Sequence, residues 1–256
     1  MGNATLRIGI LTVNDGYFVP KMILTLRKRC GERIVFVGEI SEQALRKKSL
    51  SYRIRELITL MLLYGWRGSI TVLKKMVQKR TLKDYLGSKT RHLQAKAPNA
   101  RVVLDAIRGE NVDVLINQTP HKLGRELLSL PKMGVWNRHC GRVPTYRGMY
   151  TPFWAWLYGE STMGITILEA KEDYDTGRIL SEGAIDIRHM RTPGKVLKLA
   201  MSSSDELLAE AILQWEKGAI HPHPQVGNTR YFSVPSWTDL LAALLRGVGF
   251  LVKGKN

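Results

Sequence analysis

Short apolar runs that alternate with helical segments constrain the fold of this chain more than any other feature. Residues 7–12 form the first run, and a turn at residues 14–16 separates it from a helical segment that extends to about residue 29. A second apolar run at residues 33–37 completes a strand–helix–strand unit. Such units join parallel strands through a right-handed crossover. The sequence therefore predicts an α/β fold of Rossmann-like type, a mostly parallel twisted sheet with helices on both faces.

The rest of the chain continues this alternation and then becomes helical. Thr151 and Thr192 each precede a proline, which is the pattern of a helix start, and the second predicts a long helix to about residue 217. We divide the chain into a catalytic domain over residues 1–191 and a helical C-terminal extension over residues 192–256. Further strands are predicted at residues 112–117, 133–138, 163–169 and 178–187.

The chain carries a large excess of positive charge. Lys and Arg number 39 against 22 Asp and Glu, a formal net charge of +17, which predicts an anionic partner: nucleic acid, a membrane surface or a phosphorylated substrate. The excess is concentrated in a predicted helical insertion at about residues 41–100, where a solvated face and a patch for phosphate or anionic lipid both remain open. Its basic residues include Lys74, Lys75, Lys79, Arg80, Lys83, Lys89 and Arg91.

Several functional classes lack their sequence signatures. There is no glycine-rich dinucleotide loop and no P-loop motif. The two cysteines, Cys30 and Cys140, predict neither a disulfide framework nor a zinc site, and we expect no metal. No signal-peptide or membrane-spanning pattern occurs, so we expect a cytoplasmic protein. Peripheral contact with an anionic membrane stays open, because residues 237–252 suit either a packing helix or an interfacial helix.

Three polar residues in one stretch indicate a catalytic site. Asn137 and His139 lie two apart near the end of a predicted strand, so both should project from the same side. Asp175 lies in a turn after another apolar run. An amide donor, an imidazole and a carboxylate are the groups that acyl transfer requires. Cys140 invites a cysteine-hydrolase alternative, but as a strand neighbour of His139 it should point to the opposite side.

These residues carry a resemblance to a known family. The stretch resembles the signature of the 10-formyltetrahydrofolate-dependent formyltransferases, which include glycinamide ribonucleotide, methionyl-tRNA and amino-sugar formyltransferases. That signature reads Asn-x-His-Pro-Ser-Leu-Leu-Pro-x-Tyr-Arg-Gly and is followed some thirty residues on by Asp-x-Gly. The resemblance extends from about residue 114 to residue 187. The matching residues are Asn137, His139, Pro144, Tyr146, Arg147, Gly148, Asp175, Thr176 and Gly177.

The resemblance implies a reaction and a set of sites. It implies transfer of a formyl group from 10-formyltetrahydrofolate to a primary amine, with Asn137, His139 and Asp175 as catalytic residues. The acceptor we expect is an anionic small molecule such as a nucleotide-linked amino sugar. Substrate contact or loop support is implied for Arg142, Tyr146, Arg147 and Gly148. Folate contacts are implied for two loops, one with Thr119, Pro120, His121, Lys122 and Leu123, the other with Glu172, Asp173 and Tyr174.

One departure from the signature keeps alternatives open. Cys140, Gly141, Arg142 and Val143 stand where the family has Pro-Ser-Leu-Leu. The alternatives are a formyltetrahydrofolate hydrolase, a methionyl-tRNA formyltransferase, for which the chain looks short, and an inactive family member. The inactive member would bind nucleic acid, the less favoured partner, or anionic membrane through its basic face. The oligomeric state stays open.

Overall fold

A computed structural model describes residues 5–41, 48–77 and 82–253 of the chain. Lys79 and Arg80 of the predicted basic insertion lie outside the described residues, as do the side chains of Lys74 and Lys75. The strands are β1 (Ile8–Thr12), β2 (Ile34–Ile40), β3 (Arg91–Ala95), β4 (Val114–Gln118), β5 (Val135–His139), β6 (Arg147–Gly148), β7 (Thr162–Glu169), β8 (Ile179–Asp186) and β9 (Tyr231–Phe232). The helices are α1 (Phe18–Cys30), α2 (Leu50–Val77), α3 (Arg101–Gly109), α4 (Arg125–Ser129), α5 (Thr151–Tyr158), α6 (Pro193–Glu216) and α7 (Trp237–Lys253).

Seven strands form the central sheet in the order β3-β2-β1-β4-β5-β7-β8. The first five in this order pair in parallel, and β7 and β8 add an antiparallel hairpin beside β5. The predicted α/β fold with a mostly parallel sheet is confirmed. The chain leaves β1 toward β3 and returns to β4, so the direction of strand order reverses between β1 and β4. Crevices at the carboxyl ends of strands beside such a reversal are the usual ligand sites of these folds.

Alternating side chains of the strands place apolar layers on both faces of the sheet. Ile8 and Ile10 point to the face covered by α1 and α6, where they pack in one cluster with Met22 and Leu208. Leu11 points to the other face and packs with residues of α3 and α4. The predicted helices on both faces are therefore present. Both layers hold the strand ends fixed relative to one another.

A second core lies beside the β7–β8 hairpin. Phe153 and Trp156 of α5 pack there with Val196 of α6 and Leu240 of α7. Leu63 of α2 joins the same cluster. Helices of the predicted C-terminal extension therefore pack on the elements that precede them, whereas the division at residue 191 stays a prediction. Across the described part of the chain, no helix combines the length and apolar character needed to span a membrane.

Local structure differs from the sequence predictions in three places. The insertion at about residues 41–100 was predicted to be helical, and α2 within it breaks at Gly65, which has a φ of 68°. Strand β3 was missed, because its residues are half-buried or exposed at the sheet edge and lack an apolar run. Thr192 caps α6 as predicted, but Thr151 does not cap α5, since its hydroxyl donates to the Cys140 carbonyl.

Candidate active site

Strand β5 presents two polar side chains toward one point near its carboxyl end. Asn137 and His139 pair with Leu168 and Thr166 of β7, so the antiparallel hairpin holds this end of β5 in register. The loop between β7 and β8 returns over the strand and carries Asp175. The structure thereby brings together the three residues that the sequence singled out.

Asp175 is the centre of the group. Its Oδ1 lies 3.1 Å from Nδ2 of Asn137, which donates to it, and 3.6 Å from Nδ1 of His139. Its Oδ2 accepts the backbone N–H of Gly148 at 2.8 Å. The side chains of His139 and Asp175 are each more than nine-tenths buried. The carboxylate is therefore fixed by three neighbours before any substrate arrives.

The imidazole of His139 is fixed from both sides. Its Nε2 lies 2.5 Å from the backbone carbonyl of Tyr146, and because a carbonyl only accepts, Nε2 carries a hydrogen. Nδ1 is then the ring nitrogen that can exchange a proton, and it faces Asp175. Gly141 permits this arrangement, since a Cβ there would lie 2.7 Å from Nε2 and 2.5 Å from the Tyr146 oxygen. This departure from the family signature is thus part of the site.

A relay of side chains orients the amide of Asn137. Arg138 has only donors, so its Nε–H donates to the amide oxygen of Gln118 at 3.0 Å. The amide nitrogen of Gln118 then lies 3.3 Å from Oδ1 of Asn137, besides its 2.7 Å bond to the Asn117 carbonyl. Asn137 must therefore direct its NH₂ group the other way, toward Asp175.

The relay ends in a buried ion pair. Arg138 points away from Asn137 and His139 and meets Asp205 of α6. Both side chains are almost fully buried, and burial lowers the pKa of the guanidinium. Separating such a pair would leave an uncompensated charge in the core, which is strongly destabilising. Arg138 is therefore held in one position by Asp205.

The loop of Asp175 is stabilised by its close approach to β7 and by hydrogen bonds from the side chain of Gln225. Asp175 itself has a φ of 55°, and Gly177 passes so close to β7 that a Cβ would lie 1.9 Å from the Glu169 carbonyl oxygen. The side-chain amide of Gln225 donates to the carbonyls of Asp175 and Gly177 at 2.9 and 2.7 Å. Arg147 in turn donates to Gln225. Arg147 thus supports the loop through Gln225.

Tyr146 and Gly148 also have supporting contacts, whereas Arg142 is exposed. The Tyr146 ring stacks on Phe232 at 5.0 Å and its hydroxyl donates to Glu160. Burial, followed by Glu160, raises the pKa of that hydroxyl. Gly148 has a φ of 94°, and a Cβ there would meet the Phe232 carbonyl oxygen at 2.1 Å. Tyr146 and Gly148 thus hold residues 146–148 against β9.

A cleft opens beside Asn137 and Asp175. The two loops predicted to bind folate form its walls, and they touch each other, because Lys122 lies 3.7 Å from Asp173 and the Tyr174 hydroxyl donates to the Pro120 carbonyl. Thr119 is buried behind the wall, where it donates to Asn117. Of the predicted loop residues, six line the cleft: His121, Lys122, Leu123, Glu172, Asp173 and Tyr174.

One polar atom near this cleft lacks a partner. Nε2 of His121 is buried and has no hydrogen-bond partner among the described residues. A buried polar atom without a partner costs about 1–3 kcal/mol. The lining of the cleft combines an apolar residue, Leu123, with charged residues such as Lys122 and Glu172.

The loop at the reversal point between β1 and β4 is closed by its own carboxylate. Asp15 Oδ1 accepts the backbone N–H groups of Tyr17, Phe18 and Val19 at 2.8–3.0 Å. These N–H groups belong to the start of α1, where an anion would otherwise bind. Asp15 therefore takes the place that a phosphate of a ligand could have used.

The structure also describes Cys140 and any grouping of possible metal ligands. The Cys140 thiol faces Met201 and Ser204 of α6, and burial raises its pKa, so it is not a nucleophile beside His139. Within the described ranges, no three His, Cys, Asp or Glu side chains are grouped as metal ligands.

Comparison with known proteins places this site in a family. A family model described as formyl transferase matches residues 33–212, well over half of the chain. The chain belongs to the formyl transferase family. The matched region includes the strands β4 and β5, the cleft loops and the loop of Asp175.

Curated relatives of this chain and solved structures of similar fold are also known. Methionyl-tRNA formyltransferase of Clostridium acetobutylicum is 27% identical over 199 residues, 75% of this chain and 62% of the relative. The chain spans 62% or less of the length of the first curated relatives it matches.

Two solved structures show the same fold at low sequence identity. Glycinamide ribonucleotide transformylase 1 from Symbiobacterium toebii has a TM-score of 0.58 at 15% identity, covering 92% of this chain and 96% of its own. An N-formyltransferase from Helicobacter canadensis, in complex with folinic acid and dTDP-3-aminofucose, has a TM-score of 0.58 at 12% identity, covering 95% and 81%.

The residues that orient Asn137, His139 and Asp175 were not identified from the sequence. Gln118, Asp205 and Gln225 were not singled out, because each lies far along the chain from the residue it orients. One signal was present: Arg138 is a charged residue between Asn137 and His139 in an apolar strand. A buried charge requires a partner, so its position predicts an acidic residue beneath the site.

Proposed function

We propose that this formyl transferase moves a formyl group from 10-formyltetrahydrofolate to a primary amine. The observation that carries the proposal is the convergence of Asn137, His139 and Asp175 at the end of the cleft between the two predicted folate loops. Membership of the family supports the same reaction.

Asn137 is the proposed electrophilic group. When the amine adds to the formyl carbon, negative charge develops on the formyl oxygen. One N–H of the Asn137 amide is used by Asp175, and its second N–H is the donor we assign to that oxygen. A fixed donor of this kind typically lowers the barrier by about 3 kcal/mol. The hydrogen bond from Gln118 matters here, because an Asn137 amide in the reversed orientation would present its oxygen, and not its NH₂ group, to the formyl oxygen.

Asp175 and His139 are the proposed proton-transfer pair. Asp175 lines the cleft, whereas the ring of His139 lies behind it with Nε2 on the Tyr146 carbonyl. We therefore assign first receipt of the amine proton to Asp175, with Nδ1 of His139 sharing that proton across 3.6 Å. As the bond between the formyl carbon and N10 breaks, the pair returns a proton to N10.

The cleft suits the proposed donor. Folate carries a polar bicyclic ring with hydrogen-bond donors and acceptors along its edge, and it supplies the formyl carbon. Leu123 offers an apolar contact, and Nε2 of His121 lacks a partner. The folate ligands held by neighbours such as the Helicobacter canadensis structure support the assignment.

For the acceptor we propose an amine on an anionic small molecule, such as a nucleotide-linked amino sugar. The net charge of +17 and the dTDP-linked amino sugar bound by the Helicobacter canadensis protein support this class. A second candidate is the amine of an aminoacyl-tRNA. Several curated relatives with sequence similarity are methionyl-tRNA formyltransferases, and the same positive charge would favour RNA.

A spectroscopic assay tests the proposal. Purified protein is mixed with 10-formyltetrahydrofolate and a panel of amines: nucleotide-linked amino sugars, simple amino sugars and methionyl-tRNA. Release of tetrahydrofolate is followed by absorbance, and the formylated product by mass spectrometry. Asn137→Ala should abolish release, whereas Glu182→Gln, an exposed position on β8, should leave it unchanged.

The outcomes separate the alternatives. Release that depends on one amine supports the transferase and identifies the acceptor. Release without any amine indicates a hydrolase that uses water. Absence of release with every amine, together with retained folding, contradicts the proposal and favours an inactive family member.

A further inference from the structure

Helix α2 exposes a stripe of apolar side chains. Leu50, Ile54, Leu57 and Met61 recur at intervals of four, three and four residues, so they lie along one face of the helix. Each is between 40% and 74% exposed. Residues on the other side of the same segment, such as Leu63, pack in the core beside the β7–β8 hairpin. The helix is therefore anchored without the stripe.

Helix α7 carries a matching stripe. Trp237, Leu241, Leu244 and Leu245 are between 51% and 66% exposed and again follow helical spacing. Leu240 and Ala243 from the opposite side of α7 are buried in the core. This helix, too, presents apolar side chains that its own packing does not require.

The two stripes meet at the amino ends of their helices. The indole N–H of Trp237 donates to the hydroxyl of Ser51, which is the neighbour of Leu50. Arg55 of α2 donates to the carbonyl of Pro235, just before α7. We call the eight exposed apolar residues of α2 and α7 the apolar face. Grouped apolar residues of this number on a monomer surface usually mark an interaction site.

The charge around the apolar face is positive. At the described exposed positions of α2 and α7, Arg53 is the charged residue. Glu56 forms an ion pair with Lys48 and accepts a hydrogen bond from the Tyr150 hydroxyl. Asp239 accepts the backbone N–H of Ser236. The whole chain carries a formal net charge of +17, so the wider surroundings are also positive on balance.

We infer that the apolar face docks on an anionic lipid bilayer. Interfacial helices combine leucine and tryptophan on one face with basic residues beside it. The apolar face consists largely of leucines together with Trp237, and Arg53 is exposed beside it. A second copy of the chain fits less well, because two molecules of charge +17 would repel as their basic surroundings approach. The inference does not depend on the reaction proposed above.

Co-sedimentation with vesicles tests this inference. The full chain is mixed with vesicles of equal parts phosphatidylcholine and phosphatidylglycerol, or of phosphatidylcholine alone. We expect strong binding to the anionic vesicles and at least tenfold weaker binding of the Leu241→Glu/Leu245→Glu variant. The matched control is Val102→Glu/Val226→Glu, which adds the same charge at exposed apolar positions outside the two helices and should bind within about threefold of wild type.

A second measurement does not depend on the double variant folding. Vesicles with brominated acyl chains should quench tryptophan fluorescence of the wild type, and Trp237→Phe should reduce the quenched fraction. Equal loss of binding in both double variants would indicate attraction by charge alone and overturn the inference. So would absence of binding to anionic vesicles, or a concentration-dependent dimer in light scattering that Leu241→Glu/Leu245→Glu abolishes.

Discussion

Gln118 fixes which way the side-chain amide of Asn137 points. Its amide nitrogen lies 3.3 Å from Oδ1 of Asn137, and its own orientation is set by Arg138, which donates to its oxygen at 3.0 Å. The NH₂ group of Asn137 is thereby directed to Asp175. The donor that the proposed reaction needs is therefore oriented by residues on β4 and α6 as well as on β5.

We expect Gln118→Glu to reduce kcat about 100-fold, the effect of losing one oxyanion donor. A carboxylate at residue 118 still accepts from Arg138, so the fold should persist, but it has no N–H for Oδ1 of Asn137 and attracts the NH₂ group instead. Steady-state kinetics should show little change in KM for the folate donor. Gln94→Glu on β3 makes the same change in charge away from the site and serves as control. A rise in KM for the folate donor with kcat unchanged would contradict the orienting role of Gln118.

Asp175→Asn should lower kcat by about 100- to 10,000-fold, the range for loss of a proton-transfer group. The amide keeps the size of the side chain and can still contact Gly148, so circular dichroism and thermal melting should stay close to wild type. Single-turnover measurement of tetrahydrofolate release isolates the chemical step. Activity within tenfold of wild type would remove Asp175 from the proton path.

Gly177→Ala should reduce the free energy of unfolding by about 1–3 kcal/mol, since a Cβ 1.9 Å from the Glu169 carbonyl forces the backbone apart. The loop of Asp175 would shift with it, so activity should fall as well. Chemical denaturation measures the first effect. The matched control is Gly183→Ala on β8, where the nearest atom would be at 3.4 Å. Equal losses in the two variants would show that the close approach at Gly177 is not the cause.

Both thiols should react slowly with alkylating reagents in the folded protein. Burial raises the pKa of Cys30 from 9.0 to about 11, which lowers its thiolate fraction near pH 8 roughly 100-fold, and burial also raises the pKa of Cys140. Iodoacetamide labelling, followed by mass spectrometry with and without denaturant, measures this protection. Cys140→Ser should retain formyl transfer, and its inactivation without loss of folding would revive the cysteine-nucleophile alternative.

Local sequence patterns predicted the sheet and the convergence of the triad, but not what supports the triad. Asn137 and His139 lie two apart on one strand, and strand periodicity alone places them side by side. Gln118 contacts Asn137 directly, 19 residues away, and Asp205 acts through Arg138, 67 residues away, so only the packing of β4 and α6 against β5 reveals them.

Gly141 is a second residue whose role could not be predicted from the local sequence. As a departure from the family signature it kept alternative functions open, yet in the structure its missing side chain leaves room for the His139 ring to reach the Tyr146 carbonyl. Similarly, β3 was missed because an edge strand needs few apolar residues. Tertiary neighbours decided the meaning of both segments.

The carboxylate of Asp15 has a consequence for how an acidic acceptor can be recognised. Asp15 already accepts the backbone N–H groups at the amino end of α1. The phosphate groups of an acidic acceptor would therefore bind lysine and arginine side chains instead. Such contacts are long-reaching and adaptable, but dissolved ions weaken them. Recognition would then tolerate variation in where the negative groups sit and would fade as the medium becomes saltier.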